Sequence, residues 1–481
     1  MTEAPFRIIQ GGMGVGVSNW VLANSVARQG QLGVISGTGI AAVVARRLQC
    51  GDPDGHFRIA FNAFPYPQIA TRVWDRYFIP GGLPADSSFK STPMPNIEFS
   101  RAMDELTVLA AFSEVFLAKR GHQGLVGINL LEKVQTPTLP TLFGAMLAGV
   151  DYVLMGAGIP RFIPGVLDAL CRGEAVDLKI DIEDSNSAES FSTRFSPADF
   201  IAQDTTAGTH SVPHLKRPMF YAIVSSATLA MTLARKSNGR VDGFIVETST
   251  AGGHNAPPRG PMQLNAAGEP VYGPRDDVDL KKIAEIGLPF FLAGGFATRR
   301  QLDRAISRGA AGIQVGTAFA FCRESGIRAD LKQQVLALAA SGQAGVFTDP
   351  HASPTGFPFK VVAVPGTMSD PVMYLKRERK CDIGYLRKIY KRPDGSPGYR
   401  CAAEPIADYV AKGGQMEETV GRKCLCNALF ATIGLGQVDR HGIPETAIIT
   451  AGDDVTNISR YLQPGQASYS SADVLNCILN G

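Results

Sequence analysis

The sequence predicts an α/β fold, a closed (β/α)8 TIM barrel with two large insertions and a C-terminal extension. Eight short apolar runs have the character of buried strands, and helical patterns lie between most of them. Most runs end in glycine or polar residues, as parallel barrel strands do at their active face. The runs span residues 6–12, 32–36, 126–131, 152–156, 220–225, 244–247, 289–295 and 312–317.

The first repeat begins with the run FRIIQGG, residues 6–12. Ser18 follows as a typical N-cap residue, then a helical spacing of apolar residues, and then the second run at 32–36. The loop GGMGVG does not fit a dinucleotide-binding fingerprint, because the third glycine of that motif would fall at Val17. A two-domain Rossmann dehydrogenase is therefore not favoured.

Two connections are longer than a barrel needs, at about residues 50–120 and 161–217. We interpret them as insertions that frame the mouth of the barrel, because long connections without their own structure are uncommon. The alternation of strands and helices stops after residue 340. The predicted division is therefore a barrel over residues 1–340 and an extension or subdomain over residues 341–481.

The composition describes a globular protein with a substantial core. Of the 481 residues, 45% are hydrophobic and 19% are charged. The 47 Lys and Arg residues nearly balance the 44 Asp and Glu residues, so no nucleic-acid partner is expected. The amino terminus has no signal pattern and no apolar stretch would span a bilayer, so we expect a cytoplasmic location without membrane contact. The sequence leaves a homodimer open.

The last two predicted strands end in glycine. Ala293-Gly294-Gly295 closes the seventh run and Gly316-Thr317 closes the eighth. In barrels of this class the loops after these strands commonly hold a phosphate group, since glycines let backbone N–H groups approach an anion. The alternative is that the glycines only permit tight turns.

Two amide side chains stand where buried strands normally hold Val or Ile: Asn129 on the third run and Gln314 on the eighth. A buried amide needs hydrogen-bond partners, and a heteroaromatic ring would supply them. The segment Gln10-Gly11-Gly12-Met13 would let a flat ring lie against the backbone. Together these residues predict a phosphorylated cofactor with a ring system across the barrel mouth.

The segment from residue 243 to 260, GFIVETSTAGGHNAPPRG, carries the main candidate for chemistry. Its buried run becomes polar at Glu247, and Gly252, Gly253 and His254 follow shortly after. A titratable ring just past the end of a buried strand is the usual layout of an α/β active site. The alternative is a glycine-rich turn with a hydrogen-bonded histidine.

Five segments, taken in order, resemble the nitronate monooxygenase (2-nitropropane dioxygenase) family: QGGMGVGVS, GINLL, AGGHNAPPRG, LAGGF and GIQVGTAF. The flavin-dependent enoyl-ACP reductases share the same FMN barrel, and the QGGM start is closer to theirs. The resemblance covers roughly residues 6–325 and implies His254 as the catalytic residue. It also implies FMN bound by strand-end and loop residues, namely Gln10, Gly11, Gly12, Met13, Asn129, Glu247, Gly252, Gly253, Ala293, Gly294, Gly295, Gln314, Val315, Gly316 and Thr317.

The implied activity is oxidation of a small-molecule nitronate with O₂. His254 would either remove the proton α to a nitro group or hydrogen-bond the nitronate oxygens. One alternative is an enoyl reductase that uses NAD(P)H and an enoyl thioester, and another is a flavin-bearing interaction subunit without turnover. A Schiff-base lyase is not favoured, because none of the eight runs contains a lysine.

Two further features lie outside the predicted barrel. Cys381, Cys401, Cys424 and Cys426 are separated by 20, 23 and 2 positions, without the paired knuckles of a strong zinc motif. Free buried thiols are preferred to a zinc site, and no metal is assigned. His351, in the turn TDPHASP, is expected to be structural.

Overall fold

The structure is a computed structural model that describes residues 4–183, 191–204 and 212–481. In these residues the strands are β1 Ile8–Gln10, β2 Gly33–Ser36, β3 Val126–Leu131, β4 Tyr152–Gly156, β5 Val176–Ile180, β6 Phe191–Phe195, β7 Met219–Val224, β8 Gly243–Glu247, β9 Phe290–Ala293, β10 Gly312–Val315, β11 Val346–Asp349, β12 Phe359–Val362, β13 Lys388–Lys391 and β14 Pro397–Arg400. The helices are α1 Trp20–Arg28, α2 Ile40–Gln49, α3 His56–Ala63, α4 Pro67–Tyr77, α5 Arg101–Ala118, α6 Thr138–Leu147, α7 Ile163–Cys171, α8 Pro197–Ile201, α9 Ala227–Lys236, α10 Leu280–Ala284, α11 Arg299–Ser307, α12 Thr317–Ala320, α13 Ala329–Ala340, α14 Pro371–Lys376, α15 Ile406–Ala411, α16 Leu425–Thr432 and α17 Ser471–Asn480. Short 3₁₀ helices span Met416–Thr419 and Asp453–Tyr461.

Eight strands form one parallel sheet in the order β1-β10-β9-β8-β7-β4-β3-β2. The two ends of this sheet meet, because the Gln10 N–H donates to the Leu32 carbonyl at 2.9 Å and the Leu32 N–H donates to the Ile8 carbonyl at 3.1 Å. The eight strands are the eight runs expected from the sequence. The predicted (β/α)8 barrel is therefore confirmed.

The interior of the barrel is filled by side chains that alternate along the strands, as the two-residue period of a strand requires. Phe6, Tyr152, Tyr221 and Phe291 are buried there and contact one another, with the Phe6 and Tyr152 ring centroids 5.3 Å apart. Because this packed layer leaves no channel through the barrel, a ligand can enter only at its mouth.

The outer layer of helices is completed by two helices that lie outside the regular strand–helix repeats. Helix α5, within the connection of residues 50–120, packs against α1, α2 and α6. Helix α17, at the end of the C-terminal segment, packs against α1 and α11. The ring of helices around the barrel thus depends on the connection of residues 50–120 and on the C-terminal segment.

The C-terminal segment, residues 341–481, packs closely on the barrel. The Tyr461 hydroxyl donates to the Ala297 carbonyl and the Tyr469 hydroxyl donates to the Ala318 carbonyl, both at 2.6 Å. Tyr461 and Tyr469 also belong to the same apolar core as the barrel strands. This segment contributes the antiparallel pairs β11–β12 and β13–β14, whereas β5–β6 belongs to the connection of residues 161–217. In the described part of the chain, no helix is long and apolar enough to cross a membrane.

The N-cap predicted at Ser18 is wrong by one residue. Asn19 caps α1, because its Oδ1 accepts the Leu22 N–H at 2.9 Å. The Ser18 hydroxyl is instead used inside the preceding loop, where it donates to the Gly11 carbonyl and accepts the Met13 N–H, each at 2.9 Å. Ser18 therefore shapes the loop that follows β1.

Candidate active site

A cavity opens at the carboxyl end of the barrel strands, with about 1420 Å³ of space including its open mouth. Of the candidate residues, the structure brings these to the cavity wall: Gly11, Gly12, Met13, Asn129, Glu247, Gly252, Gly253, His254, Ala293, Gly294, Gly295, Gln314, Val315, Gly316 and Thr317.

Gln10 is the candidate that is not at the wall. Its side chain is fully buried, its Oε1 accepts the Val34 N–H at 2.9 Å, and its Nε2 donates to Ser18 Oγ at 2.8 Å. The amide therefore joins β1, β2 and the loop between them. Its position at a strand end resembles that of a ligand contact, but its hydrogen bonds are satisfied by the protein.

The glycines after β9 and β10 leave a cradle of exposed backbone. Gly294 and Gly295 have φ values of +95° and +70°, which side chains rarely adopt. A Cβ atom at Gly294 would lie 2.2 Å from Thr248 Oγ1. At Gly316 the nearest atom to such a Cβ is Met13 Sδ at 3.7 Å, so this glycine borders open space in the cavity. The cradle suits an anionic group held by backbone N–H groups.

Two buried amide oxygens at the cavity wall, Asn129 Oδ1 and Gln314 Oε1, have no hydrogen-bond partner among the residues that the structure describes. Such oxygens are costly to leave unpaired, and native structures rarely contain many. Both could accept hydrogen bonds from N–H or hydroxyl donors of a bound cofactor. With the glycine cradle on the same wall, the residues present fit a phosphorylated ring cofactor such as FMN.

Glu247 ends β8 and lines the same cavity. Among the described residues its carboxyl group has no hydrogen-bond or ion-pair partner. Burial raises the pKa of this carboxyl group to about 7. At neutral pH the group is therefore divided between its neutral and charged forms, and its neutral form can donate a hydrogen bond.

His254 lies at the cavity wall with its ring fixed on one side by the C-terminal segment. Its Nε2 lies 2.7 Å from Ser353 Oγ, and its ring packs edge-on against Phe359, with centroids 4.9 Å apart. Burial lowers the pKa of His254 to about 4, so the ring is neutral at physiological pH. A neutral imidazole can donate one hydrogen bond and accept another.

The sequence did not indicate that the C-terminal segment would line this cavity. Phe359, Leu429, Thr450, Gly452 and Asp454 lie at its wall. The Gly253 N–H donates to Thr450 Oγ1 and the Gly452 N–H donates to Thr317 Oγ1, both at 2.9 Å. No local pattern marks these residues, because each contact joins segments more than 100 positions apart.

Cys381, Cys401, Cys424 and Cys426 line one small, separate pocket as free thiols. Burial raises the pKa of each thiol, to about 12 for Cys381. These groups are therefore protonated near neutral pH. Among the residues that the structure describes, no group of three or more His, Cys, Asp or Glu is arranged to hold a metal ion.

The fold and the cavity together define a (β/α)8 barrel with a glycine-rich cavity and a histidine at its mouth. Residues 177–344 match the family model described as Nitronate monooxygenase. This stretch contains Glu247, His254 and the glycine-ended strands β9 and β10. The resemblance inferred from the sequence motifs is thereby confirmed.

A curated relative is a probable nitronate monooxygenase from Bacillus subtilis (strain 168), 31% identical over 126 residues. The match covers 26% of this chain and 34% of the relative, so the chain spans about a third of the relative's length.

Similar solved structures include FabK from Thermotoga maritima, with 14% identity, a TM-score of 0.47, and coverage of 99% of this chain and 92% of that chain. Nitroalkane oxidase from Streptomyces ansochromogenes has 12% identity, a TM-score of 0.45, and coverage of 99% and 95%. The enoyl reductase domain of MlnA from Bacillus amyloliquefaciens has 10% identity, a TM-score of 0.46, and coverage of 98% and 92%.

Proposed function

We propose that this protein is an FMN-dependent oxidoreductase of the nitronate monooxygenase type, which oxidises alkyl nitronates with O₂. The observation that carries the proposal is the shared cavity of His254, the two unpaired amide oxygens of Asn129 and Gln314, and the glycine cradle. The family match over residues 177–344 supports the same class of reaction.

The residues that would hold FMN fall into two groups. The backbone of Gly294, Gly295 and Gly316 would bind the phosphate, because the cradle exposes N–H groups where a side chain would block them. Asn129 and Gln314 would accept hydrogen bonds from donors of the cofactor, namely the N–H group of its ring and the hydroxyl groups of its side chain. When bound, FMN supplies the two-electron redox chemistry that links the substrate to O₂.

His254 is the residue that would meet the substrate. Because its ring is neutral, it can stabilise the negative oxygens of a nitronate through an N–H group, or accept a proton from a nitroalkane through its free nitrogen. Phe359 and the loop around Gly253 restrict the ring to one orientation. In either role the substrate would lie in the cavity beside this ring.

The proposal is tested by mixing the oxidised, purified protein with propionate 3-nitronate or an alkyl nitronate in the absence of O₂. The visible flavin spectrum should bleach, and its colour should return when air is admitted. Protein without flavin that also fails to bind added FMN would contradict the proposal.

An FMN-dependent enoyl reductase is the second candidate, favoured by the Gln10–Met13 sequence, whose loop lines the cavity through Gly11, Gly12 and Met13. Bleaching by NADH or NADPH, followed by reoxidation with an enoyl thioester, would assign that activity instead. A flavin-bearing interaction subunit would show neither reaction and would copurify with a partner.

A further inference from the structure

We propose that a second cavity, separate from the one at the barrel mouth, binds a phosphate group through Lys133 and Arg387. Both side chains line this second cavity, and none of its lining residues also lines the cavity at the barrel mouth. The inference is therefore independent of the proposed function. The phosphate group belongs either to inorganic phosphate or to a phosphate monoester.

The second cavity lies where four parts of the chain meet, and it encloses about 1050 Å³ including its open side. These parts are the connection of residues 50–120, the loop after β3, the connection of residues 161–217 and the C-terminal segment. Its wall includes Pro95, Lys133, Asp181, Glu183, Arg387 and Tyr399.

The guanidinium group of Arg387 lies at the wall of the second cavity. Its Nη2 donates to the Pro95 carbonyl at 2.7 Å, and its Cζ lies 4.7 Å from the centroid of the Tyr399 ring. Its Nε donates to the Gly384 carbonyl at 3.1 Å. In the described part of the chain Arg387 has no carboxylate partner, and three of its five N–H groups have no acceptor. This cation is therefore held in place but not neutralised.

The ammonium group of Lys133 is only loosely paired. Its nearest carboxylate oxygens are Asp181 Oδ2 at 3.5 Å and Glu132 Oε2 at 3.8 Å. Both distances exceed those of a charge-assisted hydrogen bond. Asp181 is 73% exposed, so water screens its charge, and burial raises the pKa of Glu132 and so favours its neutral form. Lys133 can therefore bind a further anion.

The neighbouring charges add to the positive potential of the second cavity. Glu183 pairs with Lys388 at 2.7 Å and with Arg400 at 3.0 Å, so one carboxylate serves two cations. The wall of the cavity at the barrel mouth, by contrast, contains neither lysine nor arginine among the described residues. Of these two cavities, the second is the one whose described wall offers cations to an anionic ligand.

The number of charges favours phosphate over a carboxylate. Lys133 and Arg387 together carry two positive charges, and a phosphate monoester carries about −1.5 to −2 at pH 7. A carboxylate would neutralise only one of the two cations. The guanidinium group can also donate two parallel hydrogen bonds to phosphate oxygens.

The test is calorimetric titration of the full-length protein at pH 7.5 and low ionic strength with inorganic phosphate, phenyl phosphate and benzoate. At least one phosphate should bind with a Kd below about 1 mM, and benzoate should bind at least about 10-fold more weakly than phenyl phosphate. Absence of saturable phosphate binding, or equal binding of benzoate and phenyl phosphate, would overturn the inference. Tighter binding of phenyl phosphate than of inorganic phosphate would assign the site to an ester, and the reverse order would assign it to free phosphate.

Variants locate the site. Lys133→Gln and Arg387→Gln should each raise the Kd for phosphate about 10-fold, because each removes a charged hydrogen-bond donor. Lys236→Gln is the matched control, since Lys236 is exposed at the end of α9 and does not line the second cavity. An unchanged Kd in Lys133→Gln would refute the site. If Arg387→Gln does not fold, Lys133→Gln still decides, because the Lys133 side chain is exposed.

The glycine cradle at the barrel mouth is the competing place for a phosphate. Binding that is lost in Gly316→Val and kept in Lys133→Gln would belong to that cradle and would refute the second site. Binding that is kept in Gly316→Val and weakened in Lys133→Gln would support it. This comparison holds whether or not the protein oxidises a nitronate, so the inference and the proposed function can fail separately.

Discussion

The Asn129 side-chain amide donates a hydrogen bond of 2.9 Å to the carbonyl oxygen of Gly12, which joins β3 to the loop after β1. The contact is so close that a Cβ atom at Gly12 would lie 2.2 Å from the Asn129 Cβ. The same contact fixes which end of the amide is free, so Asn129 Oδ1 is left buried and unpaired at the cavity wall. Together with Gln314 Oε1, it defines where a ring cofactor would be recognised.

Gln314→Leu should stabilise the flavin-free protein and weaken its binding of FMN. Without flavin, it removes a buried oxygen that has no partner, so the melting temperature should not fall and the free energy of unfolding should rise by about 1 kcal/mol. With flavin, it removes one hydrogen bond, so the Kd for FMN should rise about 10-fold. Calorimetry and flavin titration measure the two effects, and a variant that binds FMN as tightly as wild type would contradict the assignment.

Gly316→Val should abolish FMN binding without unfolding the barrel. A Cβ atom at this position meets no protein atom closer than 3.7 Å, so the added methyl groups would enter the cradle and displace the phosphate. Gly345→Val is the matched control, because a Cβ atom there meets nothing within 4 Å and lies away from the cavity wall. The flavin content of the two purified variants is the measurement, and yellow Gly316→Val protein would refute the phosphate site.

Glu247→Gln should stabilise the flavin-free protein more at pH 8 than at pH 5. The pKa of Glu247 is raised by burial from 4.5 to about 7, so the folded state holds the proton more tightly than the unfolded state. The stability contribution of this group is therefore present below pH 4.5 and is lost as the pH rises through 7. The glutamine side chain does not titrate. The free energy of unfolding of the variant, relative to that of the wild type, should therefore rise across that window by up to about 3 kcal/mol.

Denaturant unfolding at the two pH values checks this prediction for Glu247. Glu285→Gln, at an exposed position after α10, controls for the loss of one negative charge. If the difference in unfolding free energy between variant and wild type is the same at pH 5 and pH 8, the Glu247 carboxyl group does not change its charge between these pH values.

His254→Ala should keep FMN and the fold while lowering turnover. The ring contacts Phe359 and Ser353 but forms no part of the glycine cradle, so flavin content should be unchanged. Loss of a group that stabilises the reacting anion should lower kcat by about 10²–10³-fold. Stopped-flow reduction by a nitronate measures the change, and a fully active variant would exclude a catalytic role.

Glu445→Ala should strongly destabilise the C-terminal segment. Glu445 and Arg377 form a two-point ion pair, with N–O distances of 2.6 and 2.7 Å and side chains only 2% and 8% exposed. Removal of one partner leaves a buried charge unpaired, which costs about 3–5 kcal/mol. Asp330→Ala breaks the exposed pair with Arg328 and should cost less than about 1 kcal/mol. Similar unfolding midpoints for the two variants would contradict this difference.

Much of the barrel can be predicted from local patterns in the sequence. Each strand corresponds to an apolar run in the sequence, and the run at residues 312–317 ends in Gly316 and Thr317, which lie at the cavity wall. Because parallel barrel strands all point the same way, their carboxyl ends must meet at one mouth. That rule alone brings Asn129, Glu247 and Gly316 together, although they are far apart in sequence.

Gln10 shows that a position at a strand end does not by itself fix where a side chain lies. Its position at the end of β1 resembles that of Asn129 on β3, yet its amide bonds to Val34 and Ser18 and not to the cavity. Which way a side chain leaves a short strand, and which neighbours satisfy it, depends on strand register across the closed barrel. A single sequence does not encode that register in any local pattern.

By itself, the sequence determined the strands, the glycine cradle and the histidine, because each follows from the residues within a few positions. Only the tertiary structure decided what surrounds them. Ser353 and Thr450 come from the C-terminal segment and contact His254 and Gly253 directly. The physical reason is that hydrogen bonds between distant segments depend on how the whole chain packs, and hydroxyl groups in turns have no periodicity that would mark them in advance.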